Sequence, residues 1–263
     1  MRDGKATKMP TLGRIVRQGL AAAAVTLSGW TAIHVGQASA QLGEMADCEQ
    51  DDSSPRAVRA CSSVLSGAAS NLDPATRARV YQLRGRAWIM EEEFHAAIED
   101  YSSALELEPN SIVALAGRAK ANTLQGLHKA AAADWASLIA LNPKNDEYLR
   151  NRGSSLLAAG LHSEALAQFD AALQLNPQGV EAYIGRASVY DAMHQRDQAL
   201  KEFDRGIAIK PDYLPLYWER AQMAERWGEK PLAIKSYEMV LKINGVYAHA
   251  RKALVRLGVE TPP

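Results

Sequence analysis

Between residues 78 and 245 the apolar positions follow a helical spacing within short blocks, and the blocks themselves return every 34 residues. In one block Leu149, Gly153, Leu156 and Leu157 share a helical face, and Ala165, Phe169, Ala172 and Leu173 share a second. Gly160 lies between the two stripes and suits the left-handed residue that ends a helix. Pro177 closes the second stripe, because proline cannot continue a helix. Each block therefore predicts helix, tight turn, helix.

The period is carried by whole columns. Pro109, Pro143, Pro177 and Pro211 are 34 residues apart, and Gly245 continues the series. Small residues recur at Gly85, Ala119, Gly153, Ala187 and Ala221, and alanines at Ala97, Ala131, Ala165, Ala199 and Ala233. Four residues after each of those alanines stands an aromatic: Tyr101, Trp135, Phe169, Phe203 and Tyr237. Leu107, Leu141, Leu175, Ile209 and Ile243 hold the apolar place before each closing position. Small residues let two helix axes approach, and the aromatic fills the space beside them. A single hairpin leaves its apolar face open, so stability requires a stack.

This period with these residue types resembles the tetratricopeptide repeat. The resemblance covers about residues 78–245, and it implies an all-α, right-handed superhelical solenoid of antiparallel helix hairpins. Within residues 74–245 we expect five units, at 78–111, 112–145, 146–179, 180–213 and 214–245. Asn122 and Ala224 stand where the family usually has a large residue, and Gly206 where it usually has alanine; all three are expected to loosen local packing.

The ends differ from the repeats. Arg2, Lys5, Lys8, Arg14 and Arg17 precede a mostly apolar run from Leu20 to Val35, which ends in Ala38-Ser39-Ala40. This order predicts a secretory signal at 1–40, cleaved after Ala40; an uncleaved anchor is the alternative. The run is shorter than the roughly 20 apolar residues that a membrane span needs. Asp73-Pro74 predicts a helix start. Ala57-Val-Arg-Ala-Cys61-Ser-Ser-Val-Leu65 parallels Ala97-Ile-Glu-Asp-Tyr101-Ser-Ser-Ala-Leu105, so residues 41–73 are expected to form a partial hairpin and cap. Residues 246–258 are expected to form a capping helix and 259–263 a tail.

Composition adds two points. The whole chain is neutral, with 30 basic and 30 acidic residues. Residues 1–40 hold five of the bases and one of the acids, so the remainder has 25 against 29 and a charge near −4. Neither balance points to nucleic acid as a partner. The two cysteines, Cys48 and Cys61, both follow the expected signal, and an even pair in an oxidising compartment predicts a bridge. It would staple the cap to the helix that follows, and closing so short a loop contributes about 3 kcal/mol by chain entropy.

The candidate chemistry is structural. Arg84, Arg118, Arg152, Arg186 and Arg220 form a 34-residue column where the family more often has leucine. Acids recur in the partner helices at Asp100, Asp134, Asp170, Glu202, Asp204 and Glu238, so the column predicts an arginine–carboxylate ladder rather than a polyanion site. His128 and His162 occupy equivalent turn positions, with His95 and His194 close by. Consecutive repeats set such residues on the order of 10 Å apart, too far for one metal ion. No nucleophile elbow, zinc-binding His-Glu-x-x-His, phosphate loop or dinucleotide fingerprint occurs. We therefore expect no catalytic residues, metal or cofactor, and no enzyme activity.

By resemblance to the family, the first helix of each unit lines a concave groove. The expected partner-binding residues are Arg79, Gln82, Arg86, Lys120, Arg150, Glu181, Asp191, Trp218, Gln222 and Glu225. Bases dominate the first three units and acids the last two, which predicts a partner whose acidic stretch meets the N-terminal units and whose basic or apolar stretch meets the C-terminal ones. Trp218 is expected to be an exposed hot-spot aromatic. The family's Lys/Asn clamp for chaperone carboxylates is not carried over, because its columns here hold Gln82, Arg86, Gly117, Glu147 and Asn151. The expected function is a protein- or peptide-binding scaffold in the periplasm or outside the cell. A self-associating structural protein, or an accessory subunit of an exported enzyme or polysaccharide machine, are the alternatives.

Overall fold

A computed structural model of the chain describes residues 45–49, 54–67 and 72–260. The expected signal, its cleavage point after Ala40 and residues 261–263 of the tail lie outside the described residues. Described residues outside the helices form only turns and connections; no strand occurs among them. A helical turn at 45–49 precedes α1 (Ser54–Gly67). Five hairpins follow, α2 (Pro74–Met90) with α3 (Phe94–Leu107), α4 (Ile112–Leu124) with α5 (His128–Leu141), α6 (Asp146–Ala158) with α7 (His162–Leu175), α8 (Val180–Ala192) with α9 (Arg196–Ile209), and α10 (Leu214–Arg226) with α11 (Lys230–Ile243). The last helix, α12 (Ala248–Arg256), packs on α11. The helix α2 begins four residues before position 78 because Asp73 caps it, accepting from the N–H groups of Ala75 and Thr76 at 3.0 Å, with Pro74 in the first turn.

The turn inside every hairpin is built the same way. Glu92, Gly126, Gly160, His194 and Gly228 all have positive φ, between 59° and 81°, at 34-residue spacing. The next residue donates back into the finished helix: Leu127 to the Asn122 carbonyl at 2.7 Å and Leu161 to that of Leu156 at 2.9 Å. That bond satisfies a carbonyl which the helix end would leave open.

Each helix packs on its successor, and first helices of successive hairpins also meet, as in α2 with α4, α6 with α8 and α8 with α10. The aromatic column fills the joints. Tyr101, Phe169, Phe203 and Tyr237 are buried, while Trp135 is half-buried. Two of these rings lie between pairs of glycines. A Cβ on Gly85 would come within 3.1 Å of Tyr101, and one on Gly117, in the next hairpin, within 2.3 Å. Phe169 is held likewise by Gly153 at 2.9 Å and Gly185 at 2.2 Å.

Three departures from the repeat pattern do not loosen the packing as expected. A Cβ on Gly206 would come within 2.5 Å of Leu216, so the leucine of the next hairpin occupies the space that alanine's methyl would take. Asn122 is buried and donates to Asp134 at 3.1 Å. Ala224 is buried in the last apolar cluster with Tyr237, Val240 and Leu254.

At the N-terminal end Cys48 and Cys61 are joined by a disulfide, with Cα atoms 4.8 Å apart. Both are buried with Val64, Leu65 and Val80, so the bridge lies inside the cluster that ties the turn at 45–49 and α1 to α2. At the other end Ala250, Ala253 and Leu254 of α12 cover the last hairpin.

Candidate functional site: arginine rungs and two clefts

The arginine column runs along the joints between hairpins. Each arginine faces a residue sixteen positions later, in its own second helix, and in three cases a residue sixteen positions earlier, in the preceding second helix. Arg84 pairs with Asp100 at 2.7 and 2.8 Å. Arg118 pairs with Asp134 at 2.7 Å and also donates to Ser102 at 3.1 Å. Arg186 lies between two carboxylates, donating to Glu202 and, at 2.7 Å, to Asp170. Arg220 donates to the Ser236 hydroxyl at 3.1 Å and lies 3.6 Å from Asp204, with no closer carboxylate among the described residues. Arg84, Arg186 and Arg220 also lie against the rings of Tyr81, Tyr183 and Tyr217, one helical turn back.

These surroundings shift the charges. Burial works against the Arg186 guanidinium, but the bonds to Asp170 and Glu202 outweigh it and hold its pKa above the usual range. Burial pushes Arg220 down, because Asp204 is too distant to compensate. Asp100 is raised by burial despite Arg84, and Tyr101 beside it is pushed up to about 12, again by burial.

Arg152 departs from the other rungs. Its later partner is Gln168, at 3.4 Å, and its earlier position is Ala136. As at Arg118, which has Leu115, a leucine (Leu149) stands in the tyrosine's place, and the buried Nε of Arg152 has no hydrogen-bond partner among the described residues. Glu238, expected in the ladder, has no arginine above it: sixteen residues on stands Leu254 of the capping helix.

Many of the expected groove residues are already engaged within the chain. Arg79 pairs with Glu49 at 3.0 Å, and Gln82 donates to Ser111 at 3.1 Å. Arg150 pairs with Asp146 in its own helix. The three acids of the C-terminal units are all occupied. Glu181 accepts from the Tyr213 hydroxyl at 2.9 Å. Asp191 accepts from the Trp227 indole at 2.6 Å and from Arg226 at 2.8 Å. Glu225 accepts from Arg256 at 2.8 and 2.9 Å and from the Tyr237 hydroxyl at 2.9 Å. Asp191 and Glu225 are therefore neutralised from within by arginines, while Glu181, bonded to a neutral hydroxyl, keeps its charge, so the expected basic segment would meet one acid there rather than three. Trp218 is half-buried rather than exposed, edge-on to Tyr237 at 5.4 Å and to Tyr247 at 5.2 Å.

The remaining groove columns converge on two clefts. One, of about 470 Å³, opens between α4 and α6, over the half-buried Trp135. Ala116, Leu124, Trp135 and Ala158 give it an apolar surface, and Lys120, Thr123, His128, Asn151, Ser154 and Ser155 are its polar side chains. Lys120 is exposed, with no partner among the described residues. The second, of about 400 Å³, lies at the C-terminal end and gathers Trp218, Gln222 and Glu225 with residues of α12. Arg79, Gln82, Arg86, Arg150, Glu181 and Asp191 line neither cleft. Sequence reasoning missed Trp135 and Asn151 as cleft residues, and every contribution from α12. Trp135 was visible only as one more core aromatic.

The histidines do not converge. His128 and His162 open α5 and α7, each with a buried Nδ1 lacking a partner, and His95 is exposed beside Glu99. Among the described residues no group of three or more His, Cys, Asp or Glu side chains could hold a metal ion. No helix among them is long and apolar enough to cross a membrane.

A stack of hairpins in one period, with clefts between first helices, defines a helical-repeat scaffold. Two family models described as tetratricopeptide repeat match residues 125–180 and 156–222. Residues 125–222 thus match tetratricopeptide repeats, and the fold of the described residues is the right-handed solenoid such repeats form. A tetratricopeptide repeat protein from Parabacteroides merdae superposes with a TM-score of 0.64 at 22 % identity, covering 77 % of this chain and 80 % of the other. A thermophilic repeat protein of Thermus thermophilus gives 0.55 at 19 %, covering 68 % of this chain and 98 % of that one. The pilF protein of Pseudomonas aeruginosa gives 0.52 at 21 %, with coverages of 70 % and 84 %. No curated protein sequence matches the chain.

Proposed function

We propose that this protein is an exported, non-enzymatic scaffold that holds an acidic segment of a partner protein, with an apolar anchor residue, in its groove. The observation that carries the reading is the cleft over Trp135, where an apolar lining of about 470 Å³ meets the unpaired Lys120. An apolar recess with a few convergent polar groups is the usual form of a binding site. Pairing of Asp191 with Arg226 and of Glu225 with Arg256 reduces the repulsion that an acidic segment would otherwise meet further along.

Capture tests this. The protein lacking residues 1–40, used as bait on an envelope extract, should retain a partner that Arg86→Glu with Lys120→Glu loses by tenfold or more. Equal retention by both would remove the groove-charge reading, and recovery of the bait alone at twice its mass would favour self-association.

Export rests on the basic, apolar, small-x-small order of residues 1–40 and on the cysteine pair that follows. Protein isolated from the native cell should begin at Gln41 and contain no free thiol; a chain still carrying residues 1–40 with two reactive thiols would contradict it.

A further inference from the structure

We infer that the cleft between α10 and α12 is a second binding site, separate from the groove cleft over Trp135, and that it takes a small aromatic carboxylate. Its volume, about 400 Å³, is that of a small-ligand pocket. Its floor is aromatic: Trp218 and Tyr237 line it, with His249 at the rim, 6.4 Å from the Trp218 ring. A planar apolar body suits such a floor, because aromatic rings prefer offset or edge-to-face neighbours.

The charge of the cleft decides the other half of the ligand. Three cations line it, Arg226, Lys252 and Arg256, against one carboxylate, Glu225. Glu225 is committed to Arg256 and Tyr237. Arg226 is held by Asp191, outside the lining, at 2.8 Å. Lys252 is left over: it is exposed on α12 and has no partner among the described residues. The cleft thus offers an aromatic surface with one uncompensated ammonium at its edge. A ligand with a ring and a single carboxylate satisfies both, whereas a cation would meet the uncompensated charge of Lys252.

No residue of this cleft belongs to the lining of the Trp135 cleft, so the inference stands whether or not the groove captures a partner. It also gives α12 a role beyond covering the last hairpin, since His249, Lys252, Ala253 and Arg256 line the cleft while Leu254 fills the core beneath.

The test uses 2-naphthoate as probe, titrated calorimetrically into the protein lacking residues 1–40, with 2-naphthamide and acetate as controls. Naphthoate should bind one to one. Naphthamide, which keeps the ring, and acetate, which keeps the charge, should each bind at least tenfold more weakly. Lys252→Ala changes an exposed helix position and should weaken naphthoate binding at least tenfold, while Lys235→Ala, on α11 and outside the cleft, leaves it unchanged. Raising the salt should weaken binding to the parent protein and not to Lys252→Ala. Arg86→Glu with Lys120→Glu should bind naphthoate like the parent protein, which separates failure of this site from failure of the groove reading. Absence of saturable naphthoate binding, equal binding of naphthamide, or full binding by Lys252→Ala would each overturn the inference.

Discussion

An arginine at the same place in five hairpins meets different surroundings, and those surroundings set what each is worth. Arg186 between Asp170 and Glu202 is a satisfied, half-buried cation, and the buried Glu202 is shared between it and Arg205. Replacing Arg186 with methionine leaves Glu202 to Arg205 alone, at 2.7 Å, and removes the bonds to Asp170 and Glu202, which should cost about 2 kcal/mol in urea unfolding. Arg152→Met removes a guanidinium whose Nε is already unpartnered, so it should cost less than about 1 kcal/mol. The converse change, Gln168→Glu, supplies the missing carboxylate and should stabilise the protein by about 1 kcal/mol; a loss would show that the rung cannot take a charge. The sequence made the arginine and acid columns legible because both sit at fixed offsets. It did not show which acid would be claimed elsewhere. Asp191 and Glu225 looked free, since their partners Trp227, Arg226 and Arg256 come from later turns and from the capping helix.

At the scale of the element, the hairpin turn was largely legible. Gly126, Gly160 and Gly228 announce the left-handed residue, and the period places Glu92 and His194 in the same conformation. Side chains there cost of order 1 kcal/mol relative to glycine. His194→Gly should therefore stabilise the protein and Gly160→Ala should destabilise it, each by about 1 kcal/mol in the same unfolding assay. Opposite signs at equivalent turns are the check, and a destabilising His194→Gly would contradict the account. The joints between hairpins were less legible. Gly117 and Gly185 make room for an aromatic belonging to the preceding hairpin, so columns aligned within one period do not reveal the contact. Gly206 is misread for the same reason, as the Leu216 that needs its space comes from the next unit.

Across the whole molecule, stacking turns local repeats into an extended surface with its own charge pattern. The period fixed which columns could face the groove, but not which of them remained unpaired once neighbouring hairpins had made their bonds. Of the charged residues expected to bind, Lys120 is the one that both lines a cleft and lacks a partner among the described residues. That surviving cation, over Trp135, is what points the groove towards an acidic partner. The most direct test is site-specific photocrosslinking in the native cell. A benzophenone amino acid placed at Thr123, exposed at the edge of the Trp135 cleft, is compared with one at Ser137, exposed on the second helix of the same hairpin. The account predicts a discrete adduct from Thr123, lost on Lys120→Glu, and none from Ser137. An adduct from Ser137 alone, or one from Thr123 that survives Lys120→Glu, would contradict it.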